Sequence, residues 1–197
     1  NQKGLNSIWT DKLNNNLQPD SNALVEHLRT VHQEHTGFTE ACASSCRDEA
    51  GRNSYEWLAE IVPLNESLNI LDLACGSGPL LKILFDRNKN LNLKGIDMCP
   101  EELNLAKKLL INSKVNLIES KAQNLSAIND NSIDIVLCHW ALTLMDPITP
   151  VLNEVKRVLN NKGQFAALVD GPMNTAPGYK EVHDLIYSYV QEEIPSY

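Results

Sequence analysis

The sequence has no excess of basic residues: 17 lysines and arginines stand against 25 aspartates and glutamates, a formal net charge of −8. Phosphate-backbone binders usually present a basic stripe, and none is present, so nucleic acid is not an expected partner. No apolar run reaches the roughly 20 residues that a bilayer-spanning helix needs. The polar start, Asn1 to Asn16, does not read as a signal peptide, so neither a membrane nor an export route is expected. An even cysteine framework is also missing. Cys42, Cys46, Cys75, Cys99 and Cys138 form an odd, scattered set, and three of them lie in or beside apolar strand-like runs, where a reduced thiol acts as a small hydrophobe. The expected setting is a reducing cytoplasm.

What is present is ordinary globular material. The chain has 197 residues, 43% of them hydrophobic, which is enough for one α/β domain and a modest appendage. The pattern changes near Leu68. Before it, Leu24, Leu28, Val31 and His35 share a helical face behind Ser21-Asn22. Phe38, Cys42 and Cys46 recur every four residues, predicting a second helix with that face apolar. Asn53 with Glu56 three residues on forms a capping box that opens a third helix, carrying Trp57, Leu58, Ile61 and Val62 and ending at Pro63. After Leu68, strands and helices alternate. Strands are expected at 69–75, 93–98, 115–122, 133–138 and 164–169, the last after a turn at Asn161-Lys162-Gly163. Helices are expected after Gly78, after Pro100 to about Ile111, over 149–159, and in the tail 178–197. Alternation at this interval implies βαβ units with right-handed crossovers. The expected architecture is α/β: a Rossmann-like, doubly wound, mainly parallel sheet with helices on both faces. An N-terminal helical lid over residues 1–67 would precede a core over 68–197.

The informative unit is Leu71-Asp72-Leu73-Ala74-Cys75-Gly76-Ser77-Gly78, which follows a strand and opens a helix. Glycines there allow close backbone approach to a ligand and present amides at a helix N-terminus. Asp97 ends the next strand, where a carboxylate can accept from ribose hydroxyls. An adenosine-type ligand across the carboxyl ends of the strands follows. Dinucleotide sites place a third glycine where this chain has Leu81, and a buried Asp72 suits a cationic ligand group better than a pyrophosphate. A nicotinamide-dependent oxidoreductase is therefore the second reading, and a non-catalytic cofactor-binding or scaffold protein the third.

These residues resemble the class I S-adenosylmethionine-dependent methyltransferases, in particular their small-molecule branch, over about Leu68 to Gly171. The resemblance implies S-adenosylmethionine as cofactor and a small-molecule acceptor, with a homodimer allowed for. It places Asp72, Ala74, Gly76 and Gly78 around the methionine half, Asp97 on the ribose and Met98 against the adenine. Lys121-Ala122-Gln123 resembles the third motif, but Lys121 fills a slot usually acidic, so only Ala122 and Gln123 carry over. His139-Trp140-Ala141-Leu142 matches the segment that flanks the transferred methyl group. The family's closing antiparallel hairpin is expected to be absent.

Methyl transfer is a displacement at an already activated carbon, so alignment comes first and a base is needed only for a protonated acceptor. His139 is the candidate base, and it also borders the cofactor. Trp140, Tyr55 and His35 are candidates for the acceptor pocket. Arg52 could pair with the cofactor's carboxylate. His32, His35, Cys42 and Cys46 do not form a familiar zinc spacing, so no metal is expected.

Overall fold

The computed structural model describes residues 7–171, together with 178, 180, 181, 184, 185 and 188. They fall into two compact units, Asn1–Val31 with Asp170–Tyr197, and His32–Val169. The boundary expected at Leu68 therefore lies inside the second unit, and the tail helix expected over 178–197 falls largely outside the described residues.

In the first unit the polar start holds a helix the sequence did not suggest, α1 (Ile8–Asn14). Ser7 and Thr10 cap it reciprocally, each side chain accepting the other's backbone N–H. Ser7 Oγ lies 2.9 Å from His27 Nδ1, and the Trp9 and His27 rings face each other at 6.2 Å. Helix α2 (Ser21–Glu34) opens on Asp20, whose carboxylate accepts the Ala23 N–H.

The second unit begins in the last turn of α2 and continues through α3 (Phe38–Ser45) and α4 (Ser54–Ala59), the latter with the expected Asn53–Glu56 capping box. The sheet and its crossovers follow as β1 (Asn69–Leu73), α5 (Pro79–Arg87), β2 (Asn92–Asp97), α6 (Pro100–Leu109), β3 (Asn116–Glu119) and β4 (Ile133–His139). Helix α7 (Ile148–Val158) and β5 (Leu159–Leu168) complete it. All pairings are parallel, in the order β3-β2-β1-β4-β5.

Period-two alternation splits the core in two. Ile70, Ile135 and Leu137 face α4, α5 and α6, while Leu71, Leu73, Val136 and Cys138 face α7. The chain winds one way from β1 through α5 and α6, then reverses at β4, so the strand order switches between β1 and β4. In doubly wound sheets that switch opens a crevice at the carboxyl ends of the strands.

Two expectations change. The face of Phe38 and Cys42 is exposed, as is Cys46; α3 buries Ala43 instead, whose small side chain allows close helix packing. The residues expected to form a turn, Asn161 to Gly163, lie within β5. Leu159 pairs with Ile133 and Gln164 with Ile135, so β5 spends residues 160–163 where β4 spends only Asp134. Local turn composition is absorbed there as a bulge.

Candidate active site

Two residues mark the crevice by their backbones. Apart from asparagines, the described non-glycine residues with positive φ are Ala74 at +60° and Trp140 at +48°. They follow β1 and β4, the two strands of the switch, and L-residues hold that conformation only when the surroundings impose it. The Trp140 N–H donates to the Leu168 carbonyl at 2.9 Å, which pins one of them.

A cavity of about 90 Å³ lies between these ends. Asp72, Ala74, Gly76, Asp97, His139, Trp140 and Tyr55 all line it. The lining also includes residues the sequence did not single out for it: His32, Gly37, Thr39, Glu40, Ser77 and Glu102. Arg52, His35, Gly78, Met98, Ala122 and Gln123 do not line it. Arg52 is tied at the surface to Asp48 at 2.8 Å and Glu60 at 2.6 Å. His35 is exposed just past the end of α2, because the helix stops one residue short of it. Gly78, at φ +85°, turns the chain into α5, and a Cβ on it would sit 3.1 Å from the Ala106 Cβ. Its role is the close approach of α5 to α6. Met98 is half-buried, Ala122 packs against the core cluster on the α7 side of the sheet, and Gln123 Nε2 reaches the Asp146 carbonyl at 3.5 Å.

The floor of the cavity is acidic. Asp72 is 2% exposed and its Oδ2 has no hydrogen-bond partner among the described residues. Burial, followed by the Asp97 charge, pushes its carboxyl up to about 8. Asp97 accepts the Gly76 N–H at Oδ2 and the Cys99 N–H at Oδ1, both at 2.9 Å. Burial raises its pKa, and these two amides and His32 oppose the rise. Glu102, in the first turn of α6, accepts the Gly37 N–H at 2.9 Å and lies 3.3 Å from His32 Nδ1. That bond raises the His32 pKa against its partial burial. Ser77 donates to Glu40 at 2.5 Å. His32 and Glu102 join through a separation of 70 residues, which periodicity cannot show; the only trace in the sequence is two acids at the start of α6.

One wall is aromatic. The Tyr55 ring stacks on His139 at 3.8 Å and 21°, and Trp140 tilts against His139 at 5.1 Å. Burial lowers the His139 pKa to about 4, so the ring is neutral near pH 7. Burial also raises the Tyr55 pKa, and the Asp72, Glu40 and Glu102 charges add to the rise, so Tyr55 stays a phenol.

The place of a third dinucleotide glycine is taken by Leu81, fully buried against β2. The close helix–strand approach is supplied from the strand instead: a Cβ on Gly95 would meet Leu81 Cδ1 at 2.6 Å.

Doubly wound topology, a glycine loop without that third glycine, and a buried uncompensated carboxylate define a class I S-adenosylmethionine-dependent methyltransferase fold. Comparison with known proteins agrees: residues 71–167 match the family described as the methyltransferase domain. The ubiquinone/menaquinone biosynthesis C-methyltransferase UbiE of Campylobacter jejuni is 36% identical over 110 residues, 53% of this chain and 46% of that protein. The demethylmenaquinone methyltransferase of Thermotoga maritima is 30% identical over 137 residues, 68% of this chain and 57% of that one. The solved structure of a SAM-dependent methyltransferase from Aquifex aeolicus shares the fold at TM-score 0.57 and 17% identity, covering 90% of this chain and 88% of that one. The chain spans about half the length of the curated relatives it matches. It carries a class I S-adenosylmethionine-dependent methyltransferase domain, and S-adenosylmethionine is the cofactor that family and fold imply.

Proposed function

We propose that the protein transfers a methyl group from S-adenosylmethionine to a small-molecule acceptor at the crevice between β1 and β4. The observation that carries this reading is Asp72 Oδ2, buried beside the glycine loop without a partner among the described residues. A buried carboxylate calls for a positive counter-charge, and the cofactor's ammonium and sulfonium groups supply one where a pyrophosphate would be repelled. Bound there, S-adenosylmethionine supplies a methyl group already activated by its sulfonium.

The chain's own residues then bind and align. Asp72, Ala74 and Gly76 hold the methionine half, and Asp97 receives the ribose hydroxyls, its two oxygens oriented by the Gly76 and Cys99 amides. Tyr55, His139 and Trp140 wall the acceptor side. Helices α3 and α4, which contribute Thr39, Glu40 and Tyr55 to the lining, act as a cover that excludes water. Pockets for ligands of drug size run to about 300 Å³ and more. A cavity of about 90 Å³ therefore requires these side chains to shift as the cofactor enters.

No described helix is long and apolar enough to cross a membrane. We place the protein in the cytoplasm, a reading supported by five free cysteines, three of them buried. The names of the relatives favour a reduced quinone ring as the first acceptor to try. The test is mass-spectrometric detection of S-adenosylhomocysteine and of an acceptor heavier by one methyl group, using S-adenosylmethionine and a panel led by reduced demethylated naphthoquinones. Formation of both products supports the reading. A protein that binds the cofactor and methylates nothing across a broad panel contradicts it and favours the scaffold alternative.

A further inference from the structure

The lining of the cavity is unbalanced in charge. Among the described residues it carries four carboxylates, Glu40, Asp72, Asp97 and Glu102, and no lysine or arginine. Their surroundings differ. Asp97 accepts the Gly76 and Cys99 amides, while Glu102 accepts the Gly37 amide and faces His32 Nδ1 at 3.3 Å. Asp72 has a buried, unpartnered oxygen that calls for a cation of the ligand. Glu40 is held by a neutral donor. It stands half-buried in the first turn of α3, where the buried Ser77 hydroxyl donates to its Oε2 at 2.5 Å. A hydroxyl orients a carboxylate without neutralising it. Ser77 belongs to the glycine loop, so this bond ties the Glu40 charge to the loop assigned to the methionine half.

We propose that Glu40 is a specificity-determining residue for ligand charge, making the cavity select S-adenosylmethionine over its product S-adenosylhomocysteine. Resting on the methyltransferase reading, the argument runs through what the two molecules share. Both have the ammonium, the carboxylate and the ribose hydroxyls, so Asp72 and Asp97 serve them alike. They differ by one methyl group and by the positive charge on sulfur, which leaves the first a net cation and the second neutral. Only a negative charge that the shared groups do not match can tell them apart. Glu40 supplies it, whereas the Glu102 charge is offset by His32. In a partly buried site, with an effective dielectric constant of about 20, two unit charges within several ångströms interact strongly enough for a preference of about tenfold or more. Methyl transfer removes the favoured charge, so the same residue promotes exit of the product.

The test is calorimetric titration of the full chain with S-adenosylmethionine, S-adenosylhomocysteine and sinefungin, in which a carbon bearing a protonated amine replaces the methylsulfonium. Wild type is expected to bind both cations about tenfold or more tightly than S-adenosylhomocysteine. Glu40→Gln keeps an oxygen for Ser77 and removes the charge. It should weaken both cations, leave S-adenosylhomocysteine near its wild-type affinity and bring the ratio towards one. A merely structural Glu40 would weaken all three ligands alike, and that result overturns the proposal. Wild-type binding of S-adenosylhomocysteine as tight as that of S-adenosylmethionine also overturns it, and decides the point even where Glu40→Gln does not fold. That outcome leaves the cofactor reading standing, whereas binding of none of the three sinks the cofactor reading and the proposal with it.

Discussion

The Gly76 amide donates to Asp97 Oδ2 at 2.9 Å, tying the loop after β1 to the last residue of β2 across 21 positions of sequence. The β1–β2 register makes this possible, since Leu73 pairs with Ile96 and the two chains leave the sheet side by side. Asp97 is thereby oriented from within the protein, and its charge in turn raises the pKa of Asp72.

Asp72 should sacrifice stability for binding. Its folded pKa of about 8 lies above the ordinary 3.8, so the folded state holds the proton more tightly. Stability then falls as pH rises from about 4 to about 8 and levels off beyond. Asp72→Asn should therefore melt higher than wild type near pH 8, by several degrees if a few kcal/mol are recovered. The difference should vanish near pH 4, and affinity for S-adenosylmethionine should drop by tenfold or more. Melting curves at the two pH values, with calorimetry, check both halves.

Cofactor binding should release a proton. Near pH 7 the Asp72 carboxyl is mostly protonated, and a cation beside it favours the charged form. The binding enthalpy of S-adenosylmethionine should then differ between buffers of high and low ionisation enthalpy, with up to one proton released. Asp72→Asn should remove the difference; equal enthalpies in wild type would contradict the assignment.

The His32–Glu102 contact should stabilise the fold on the acid side. The folded pKa of His32 is raised above 6.5, chiefly by its bond to Glu102. Its contribution is present in full below that value and lost as pH rises through the folded pKa. His32→Ala should cost about 1 kcal/mol near pH 5.5 and little near pH 8.5. Urea unfolding at both values measures it, and an equal cost at both would show that packing dominates.

Gly95→Ala should destabilise by about 1–3 kcal/mol, because the new Cβ would lie 2.6 Å from Leu81 Cδ1 and 2.8 Å from Cys75 Sγ. The urea midpoint should fall with unchanged slope, and Leu81→Val should relieve part of the loss.

Much of the sheet was legible because its signals are local. The apolar runs of β1 and β4, the Asn53–Glu56 box and the proline opening α6 each stand where the sequence places them. Helix α1 was not, because its stability comes from the Ser7–Thr10 cap and from His27, with little apolar periodicity. On α3 the period was right and the buried face was not: an apolar stripe says which residues share a face, and only the packing partner says which face is covered. Within the site, Asp72 and Asp97 announce themselves through strand ends and glycines. His32, Glu40 and Glu102 are polar residues on helices, and only the folded chain distinguishes them from a solvated face.

The most direct test of the cofactor site is calorimetric titration of the chain with S-adenosylmethionine, S-adenosylhomocysteine and NAD, repeated on Asp97→Ala. The account predicts binding of the first two, none of NAD, and a loss of roughly 10- to 100-fold in the variant, the scale of one or two charged hydrogen bonds. Binding of NAD alone, or S-adenosylmethionine affinity untouched by Asp97→Ala, would contradict it.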